Sequence, residues 1–182
     1  DESTINMSLT DAVNKLRGSV GSKVAIVVER DGKPANKITL TRAIINIDSV
    51  KSGLLEKNGK KIGYLGIKSF QSNTVKDVKA ALAKMHDKGA KLDGLILDMR
   101  NNPGGLLGAA AEIANMFLKD GVIVSTVGKD GEVLEKEEAR SNGSEPDYPI
   151  AVLLNEGSAS ASEIVGGALQ ARGRAVVLGN YS

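Results

Sequence analysis

The sequence predicts an α/β fold with a largely parallel sheet; the order of its segments points there, and length and composition bound its size and core. In the second half, short apolar runs ("DGLILDMR", "IAVLLN", "RAVVLG") alternate with helix-like segments, the order expected of strands covered on both faces. The 182 residues suffice for one medium domain and part of a second. Hydrophobic residues make up 41% and charged residues 25%, as in ordinary globular proteins; with aromatics at 3% and no Trp, the core must come from Val, Ile, Leu and Ala.

The elements follow in order. "SLTDAVNKLRG" sets Leu9, Ala12, Val13 and Leu16 on one helical face, with Gly18 as the terminator. "KVAIVVERDGK" is a strand entering a turn at Asp31-Gly32, and "KITLTRAII" is its hairpin partner. One helix and two strands cannot enclose a core, so the chain is expected to begin inside a domain. "INIDSVKSGLLEKNGKKIGYLGIKSF" is extended around a turn at Asn58-Gly59, and Lys57, Lys60 and Lys61 read as its solvated tip. A helix runs from about Thr74 to Lys88, opened by a capping-box-like "TVKD", closed by Gly89, and buried along Val75, Val78, Leu82 and Met85. Then come a strand in "DGLILDMR", a helix in "GGLLGAAAEIANMFL", a strand "VIVSTVG" with "GEVLEKEEAR" as partner, and a polar loop "SNGSEPDYP". A buried strand "IAVLLN", a helix "SASEIVGGALQARG" and a strand "RAVVLG" complete the chain.

Composition removes several function classes. A formal net charge of +2 is too weak to imply a nucleic-acid or membrane partner. No apolar run reaches the length of a membrane span, and nothing at the N-terminus resembles a signal peptide. Cysteine is absent and His86 is the only histidine, which removes disulfides, cysteine nucleophiles and nearly all zinc chemistry. His86 falls in a last helical turn, favourable to the helix dipole, and reads as a structural or surface residue. Serine chemistry here needs a base other than histidine.

Two loops carry chemistry. "NEGSASASEIVGGALQ" joins a buried strand to a helix, where unpaired N–H groups and the helix dipole stabilise an anion. One serine there is usually an N-cap; three exceed what capping needs. Ser158 or Ser162 can cap or pack, and Ser160, between two alanines, remains either a further cap or a nucleophile. "DMRNNPGGLLG" also leaves a buried strand for a helix. Pro103 stiffens it, while Gly104 and Gly105 permit positive φ and bring amides to the surface. It is either an oxyanion donor or an ordinary glycine-rich connection. No Gly-Lys-Ser/Thr follows and the dinucleotide spacing of glycines is missing, so it is neither a P-loop nor a Rossmann fingerprint.

Taken together, "LDMRNNPGGLL" and "NEGSASASEI" resemble the C-terminal processing (tail-specific) serine proteases, in which a PDZ domain precedes the catalytic core. "INMSLTDAVNKLRGSVGSKVAIVVERDG" is similar to the last helix and closing strands of such a PDZ domain, and "ITLTRAIINIDSV" to the passage back into the core. The resemblance implies a crotonase/ClpP-like protease core at 44–182, lacking its C-terminal part, after an incomplete PDZ domain at 1–43. It implies Ser160 as nucleophile, with the Ala161 amide and that of Gly104 or Gly105 as oxyanion donors, and no metal or organic cofactor. The family's general base is a lysine in a Phe-Gly-Lys-Gly type turn, expected beyond Ser182, so the 182-residue chain should be inactive.

Leu9, Val13 and Leu16 are candidates for the wall of a peptide groove, or alternatively PDZ core packing. The implied partner is a polypeptide recognised by an exposed, apolar C-terminus; an adaptor protein or a homo-oligomer is compatible, and nucleic acid is not implied. The implied location is the bacterial periplasm or cell envelope, or the chloroplast lumen. Two other classes stand beside this one: a non-catalytic peptide-binding scaffold with a protease-like core, and an acyl-CoA enzyme of similar oxyanion geometry. The last explains neither the PDZ-like opening nor Ser160.

Overall fold

The computed structural model describes residues 3–30, 33–43, 48–141 and 145–182, and the chain divides into units 1–47 and 48–182. In the first unit, helix α1 (Leu9–Leu16) starts at Ser8, whose Oγ accepts the Asp11 N–H at 3.1 Å. Strands β1 (Lys23–Arg30) and β2 (Lys33–Thr41) pair antiparallel with a register shift between Val27 and Glu29. The expected Asp31-Gly32 turn lies outside the described residues. Gly18 is not a left-handed stop, because the chain leaves the helix extended at Arg17. Gly18 instead makes room for Arg42: a Cβ there would lie 2.8 Å from the guanidinium carbon. Arg42 donates to the carbonyls of Leu16, Lys15 and Lys23 and to Ser22 Oγ, so one side chain joins the helix end to the hairpin.

The second unit is built on a five-stranded sheet. Strands β3 (Val50–Lys57) and β4 (Lys60–Ile67) form a hairpin closed by Asn58 and Gly59, both at positive φ as the two-residue turn requires. Lysines 57, 60 and 61 are exposed at its tip, as expected. Helix α2 (Thr74–Met85) and a single 3-10 turn (Asp87–Gly89) lead to β5 (Gly94–Asp98). Helix α3 (Leu107–Asn115) precedes a separate hairpin of β6 (Val122–Val127) and β7 (Val133–Glu138). Strand β8 (Ile150–Leu154), helix α4 (Ala161–Ala171) and strand β9 (Val176–Gly179) complete the unit. The sheet order is β3-β4-β5-β8-β9, antiparallel at the first pair and parallel at the other three, in agreement with the expected mostly parallel α/β core.

Alternation decides which face is buried. Leu65, Leu97 and Val152 lie side by side in register and are fully buried. Glycines let the helices approach: a Cβ on Gly63 would crowd Met85 Sδ of α2, and one on Gly166 of α4 would crowd Leu154. The other face differs from the double covering expected. Ile62, Tyr64, Ile96, Ala151 and Leu153 are only partly buried, and Leu55, Val176 and Leu178 are exposed. The apolar runs made this face look covered, but no described helix packs on it. Helix α2 also differs at both ends. Its N-cap is Asn73, and Thr74 is drawn into the interior, where Oγ1 bonds Ser49 Oγ at 2.8 Å and accepts the Gln71 N–H. It stops at Met85 rather than near Lys88.

His86 ends α2 in a structural role. Its Nδ1 faces the Ala90 carbonyl at 3.2 Å and its Nε2 faces Glu145 Oε2 at 2.8 Å, which also accepts the Tyr148 hydroxyl. Burial alone would lower the imidazole pKa, but the bonds to Glu145 and Ala90 and the carboxylate charge raise it above 6.5. A raised folded pKa means that the pair's stabilisation is complete below pH 6.5 and is lost as pH rises through the folded value. Stability measured by urea unfolding should therefore fall on going from about pH 6 to pH 8. Glu145→Gln should flatten that decline; an unchanged slope would show that the pair does not couple to folding.

Candidate active site

Chain direction alone brings the two loops together. The loops leaving β5 and β8 both depart from the carboxyl ends of adjacent parallel strands, where ligand sites of open α/β sheets form. In the β8–α4 loop the three serines take different roles. Ser158 Oγ donates to the Met99 carbonyl at 2.9 Å, and Ser162 Oγ to the Asn102 carbonyl at 2.9 Å; both side chains are buried. They fasten this loop to the β5 loop. Ser160 between them is exposed.

Ser160 has φ 55° and ψ −113°, a conformation disfavoured for a residue with a Cβ and worth about 1–3 kcal/mol of strain. The surroundings hold it there. The Ser160 N–H donates to Glu163 Oε2 at 2.7 Å, and the Ser160 carbonyl accepts the Glu163 and Ile164 N–H groups at 3.0 Å each. Glu163 thus places an acidic group in the first turn of α4, where the dipole favours it.

The β5 loop is organised by Asn102, which is fully buried. Its Nδ2 donates to the Ile67 carbonyl at the end of β4 at 2.9 Å, and its Oδ1 accepts the Gly104 N–H at 2.9 Å. Its carbonyl accepts both the Ala159 N–H and the Ser162 hydroxyl. Asn101 and Asn155 add a second tie: the Asn101 N–H donates to Asn155 Oδ1 at 2.7 Å, and Asn155 Nδ2 donates to Asn101 Oδ1 at 3.1 Å.

Both glycines are needed. Gly104 (φ 101°) packs against the Ser160 loop: a Cβ there would lie 2.8 Å from Ser160 Cβ and 2.9 Å from the Ala159 carbonyl. Gly105 (φ 143°) lies on the Phe70 backbone, and a Cβ would run into the Phe70 carbonyl. Phe70 N–H donates to the Gly104 carbonyl at 2.9 Å, and Leu106 N–H to the Phe70 carbonyl at 2.8 Å. In this parallel bridge the N–H of Gly105 points away from Phe70. The Gly104 N–H is occupied by Asn102, whereas neither the Gly105 nor the Ala161 N–H donates to any acceptor among the described residues. Two unpaired amides thus belong to the loops that meet at a serine at a helix N-terminus, an arrangement suited to binding an oxyanion.

Beside these loops, Asp98 is held by the Arg100 guanidinium at 2.7 and 2.9 Å and by the Tyr64 hydroxyl at 2.9 Å. The hydrogen bonds from Arg100 outweigh burial and keep its carboxyl below the usual range. No lysine or histidine bonds to Ser160 among the described residues, and both nitrogens of His86 are engaged elsewhere. In the first unit Val13 is half-buried and Leu16 is 49% exposed; the Leu9 side chain lies outside the described residues.

The sequence reading found the serines and glycines but not the ties between them. Asn102, the Asn101–Asn155 pair and the role of Glu163 were missed. The doubled Asn before Pro-Gly-Gly was the available signal, since Asn side chains bond nearby backbone in turns.

An α/β core with a serine at a strand-to-helix turn facing an amide-rich loop defines a hydrolase-like class. Residues 61–182 match the family model described as peptidase family S41. The chain is 40% identical over 179 residues to a carboxyl-terminal-processing protease of Synechocystis sp., covering 97% of this chain and 41% of that one. It is 36% identical to carboxyl-terminal-processing peptidase 2, chloroplastic, of Arabidopsis thaliana, covering 97% of this chain and 35% of that one. Among solved structures, the photosystem II D1 C-terminal processing protease superposes with a TM-score of 0.68 at 30% identity, covering 94% of this chain and 47% of that one. The chain belongs to peptidase family S41. It spans about four-tenths of the length of these curated relatives.

Two substitutions separate strain from support. Ser160→Gly should raise stability by about 1 kcal/mol, because glycine adopts φ 55° without a Cβ penalty. Asn102→Ala should lower it by about 2–4 kcal/mol, because the Gly104 N–H and Ile67 carbonyl lose their partner in the interior. Denaturant midpoints read both; a stabilising Asn102→Ala would contradict the role given to its carboxamide.

Proposed function

We propose that the protein is the serine-bearing core of a C-terminal-processing endopeptidase. The observation that carries the reading is the strained Ser160 in contact with the Gly104 turn, with the Ala161 and Gly105 amides unpaired. In the reaction the Ser160 Oγ attacks a peptide carbonyl and its proton passes to a base. The oxyanion lies between the Ala161 and Gly105 N–H groups; Gly105 is preferred to Gly104 because Asn102 already holds the Gly104 N–H. Collapse expels the amine, which takes the proton, and water then hydrolyses the acyl-enzyme.

The base is a lysine outside residues 1–182, desolvated so that it is neutral when it accepts the proton. Residues 1–43 are the closing part of a PDZ domain, with Val13 and Leu16 on its peptide-facing helix and Leu9 assigned to the same wall from the sequence. The substrate is a polypeptide with an exposed apolar C-terminus. The site of action is the bacterial periplasm or cell envelope, as the family resemblance implies; the relatives named above are bacterial and chloroplastic processing proteases. No helix of the described residues is long and apolar enough to cross a membrane.

The test compares the 182-residue chain with a protein extended through the following turn and a whole PDZ domain, both incubated with an unstructured protein bearing an apolar C-terminus. Cleavage is expected from the extended protein alone, with loss on Ser160→Ala by at least about a thousandfold. Ser158→Ala and Ser162→Ala should lower stability by about 1–3 kcal/mol through their orphaned carbonyls while retaining measurable turnover. Turnover that survives Ser160→Ala would remove Ser160 as nucleophile. Ser160-dependent cleavage by the short chain would remove the external lysine. An extended protein that binds the substrate without cutting it would favour the non-catalytic scaffold.

A further inference from the structure

Lys51, Gly66 and Asp98 stand side by side across β3, β4 and β5, at the carboxyl end of the parallel strands. Residues in register share a face, and Tyr64, two before Gly66, lies on it too. Gly66 makes room for Tyr64, whose hydroxyl a Cβ there would meet at 3.1 Å, and beside them lies a hollow of about 410 Å³ lined by Lys51, Tyr64, Lys68, Arg100, Asn101 and Asn155 among others. Its wall includes the Asn101–Asn155 pair that ties down the loop of Ser160.

The charges in this hollow do not balance. Asp98 is the only carboxylate in the lining, and it is saturated: Arg100 takes both oxygens and the Tyr64 hydroxyl takes Oδ2 again. Lys51 and Lys68 have no ion-pair partner among the described residues. Arg100 meets Asp98 through Nε and Nη2, and its Nη1 has no acceptor among the described residues. A concave site with two unpaired ammonium groups, a guanidinium edge and side-chain amides suits a carboxylate.

We propose that this hollow is a subsite for a carboxylate of the bound polypeptide, recognised mainly by Lys51 and Lys68. The proposal deepens the peptidase reading and rests on it for the nature of the ligand. The carboxylate is either the chain-terminal group or an acidic side chain. The Asp98–Arg100 pair is a positioning element: it consumes the acid's charge so that the lysines face the ligand uncompensated.

Binding is read without hydrolysis, on the isotopically labelled 182-residue chain carrying Ser160→Ala. Three probes are titrated: an acetylated alanine tetrapeptide with a free carboxylate, the same peptide as its carboxamide, and a carboxamide peptide with one internal glutamate. The free acid, the glutamate peptide, or both should shift the amide resonances of Gly66, Lys68, Arg100 and Asn101, and the plain carboxamide should not. Response to the acid alone assigns the terminal carboxylate; response to the glutamate peptide alone assigns a side chain. Lys51→Gln combined with Lys68→Gln should weaken binding by roughly tenfold or more, and both substitutions lie on exposed side chains, so the spectrum itself verifies the fold. Equal binding of the carboxamide, or undiminished binding by the double variant, overturns the subsite. Lysine-dependent carboxylate binding together with no cleavage by the protein extended through the following turn and a whole PDZ domain would instead overturn the peptidase reading and leave the subsite standing.

Discussion

The buried carboxamide of Asn102 is where three strand ends meet. Through Nδ2 it holds the end of β4 and through Oδ1 it fixes the glycine turn after β5, while the Asn102 backbone carbonyl receives the loop after β8. A neutral amide suits this place: it donates and accepts at once, without the desolvation penalty that a buried carboxylate would bring. Asn102 occupies the Gly104 N–H, and the bridge from Phe70 to the Gly104 carbonyl and the Leu106 N–H turns the Gly105 amide outward. The contact between the Gly104 turn and Ser160 follows from the same tie, since Ala159 and Ser162 are both bonded to the Asn102 carbonyl.

The strain at Ser160 has meaning only against this background. A φ of 55° on a serine persists because neighbours on both sides are fixed: Ser158 and Ser162 are anchored in the interior, and Glu163 takes the Ser160 N–H. Spacing by two places the outer hydroxyls on the β5 loop while the middle residue turns toward solvent. Three serines are thus two anchors and one exposed hydroxyl, which answers why capping alone did not account for them.

Much of this was legible in the sequence, and the reasons differ by element. The Asn58-Gly59 hairpin and the largely parallel character of the sheet follow from turn chemistry and apolar runs, which are local signals; the strand order does not. The two loops were found because small residues cluster at strand-to-helix junctions. The open sheet face was not legible, because "IAVLLN" has the same letters whether one face or two are covered. Thr74 was read as a cap from its spacing to Asp77, yet its hydroxyl is drawn to Ser49, 25 residues away. The Asn102 bonds to Ile67 and to the serine loop are likewise long-range, and no periodicity in one sequence records them. Gly18 taught the same lesson: a glycine after a helix was read as a stop, and it is there to admit Arg42.

The account depends most on which amides of the glycine turn are spoken for. Residue-resolved amide hydrogen exchange under native conditions measures this directly. The account predicts strong protection at Gly104, held by Asn102 in the interior, and exchange faster by about a hundredfold or more at Gly105 and Ala161, whose N–H groups lack a protein acceptor. Protection at Gly105 with rapid exchange at Gly104 would contradict it, because the Asn102 bond would then not exist in solution and the outward amide would be the wrong one.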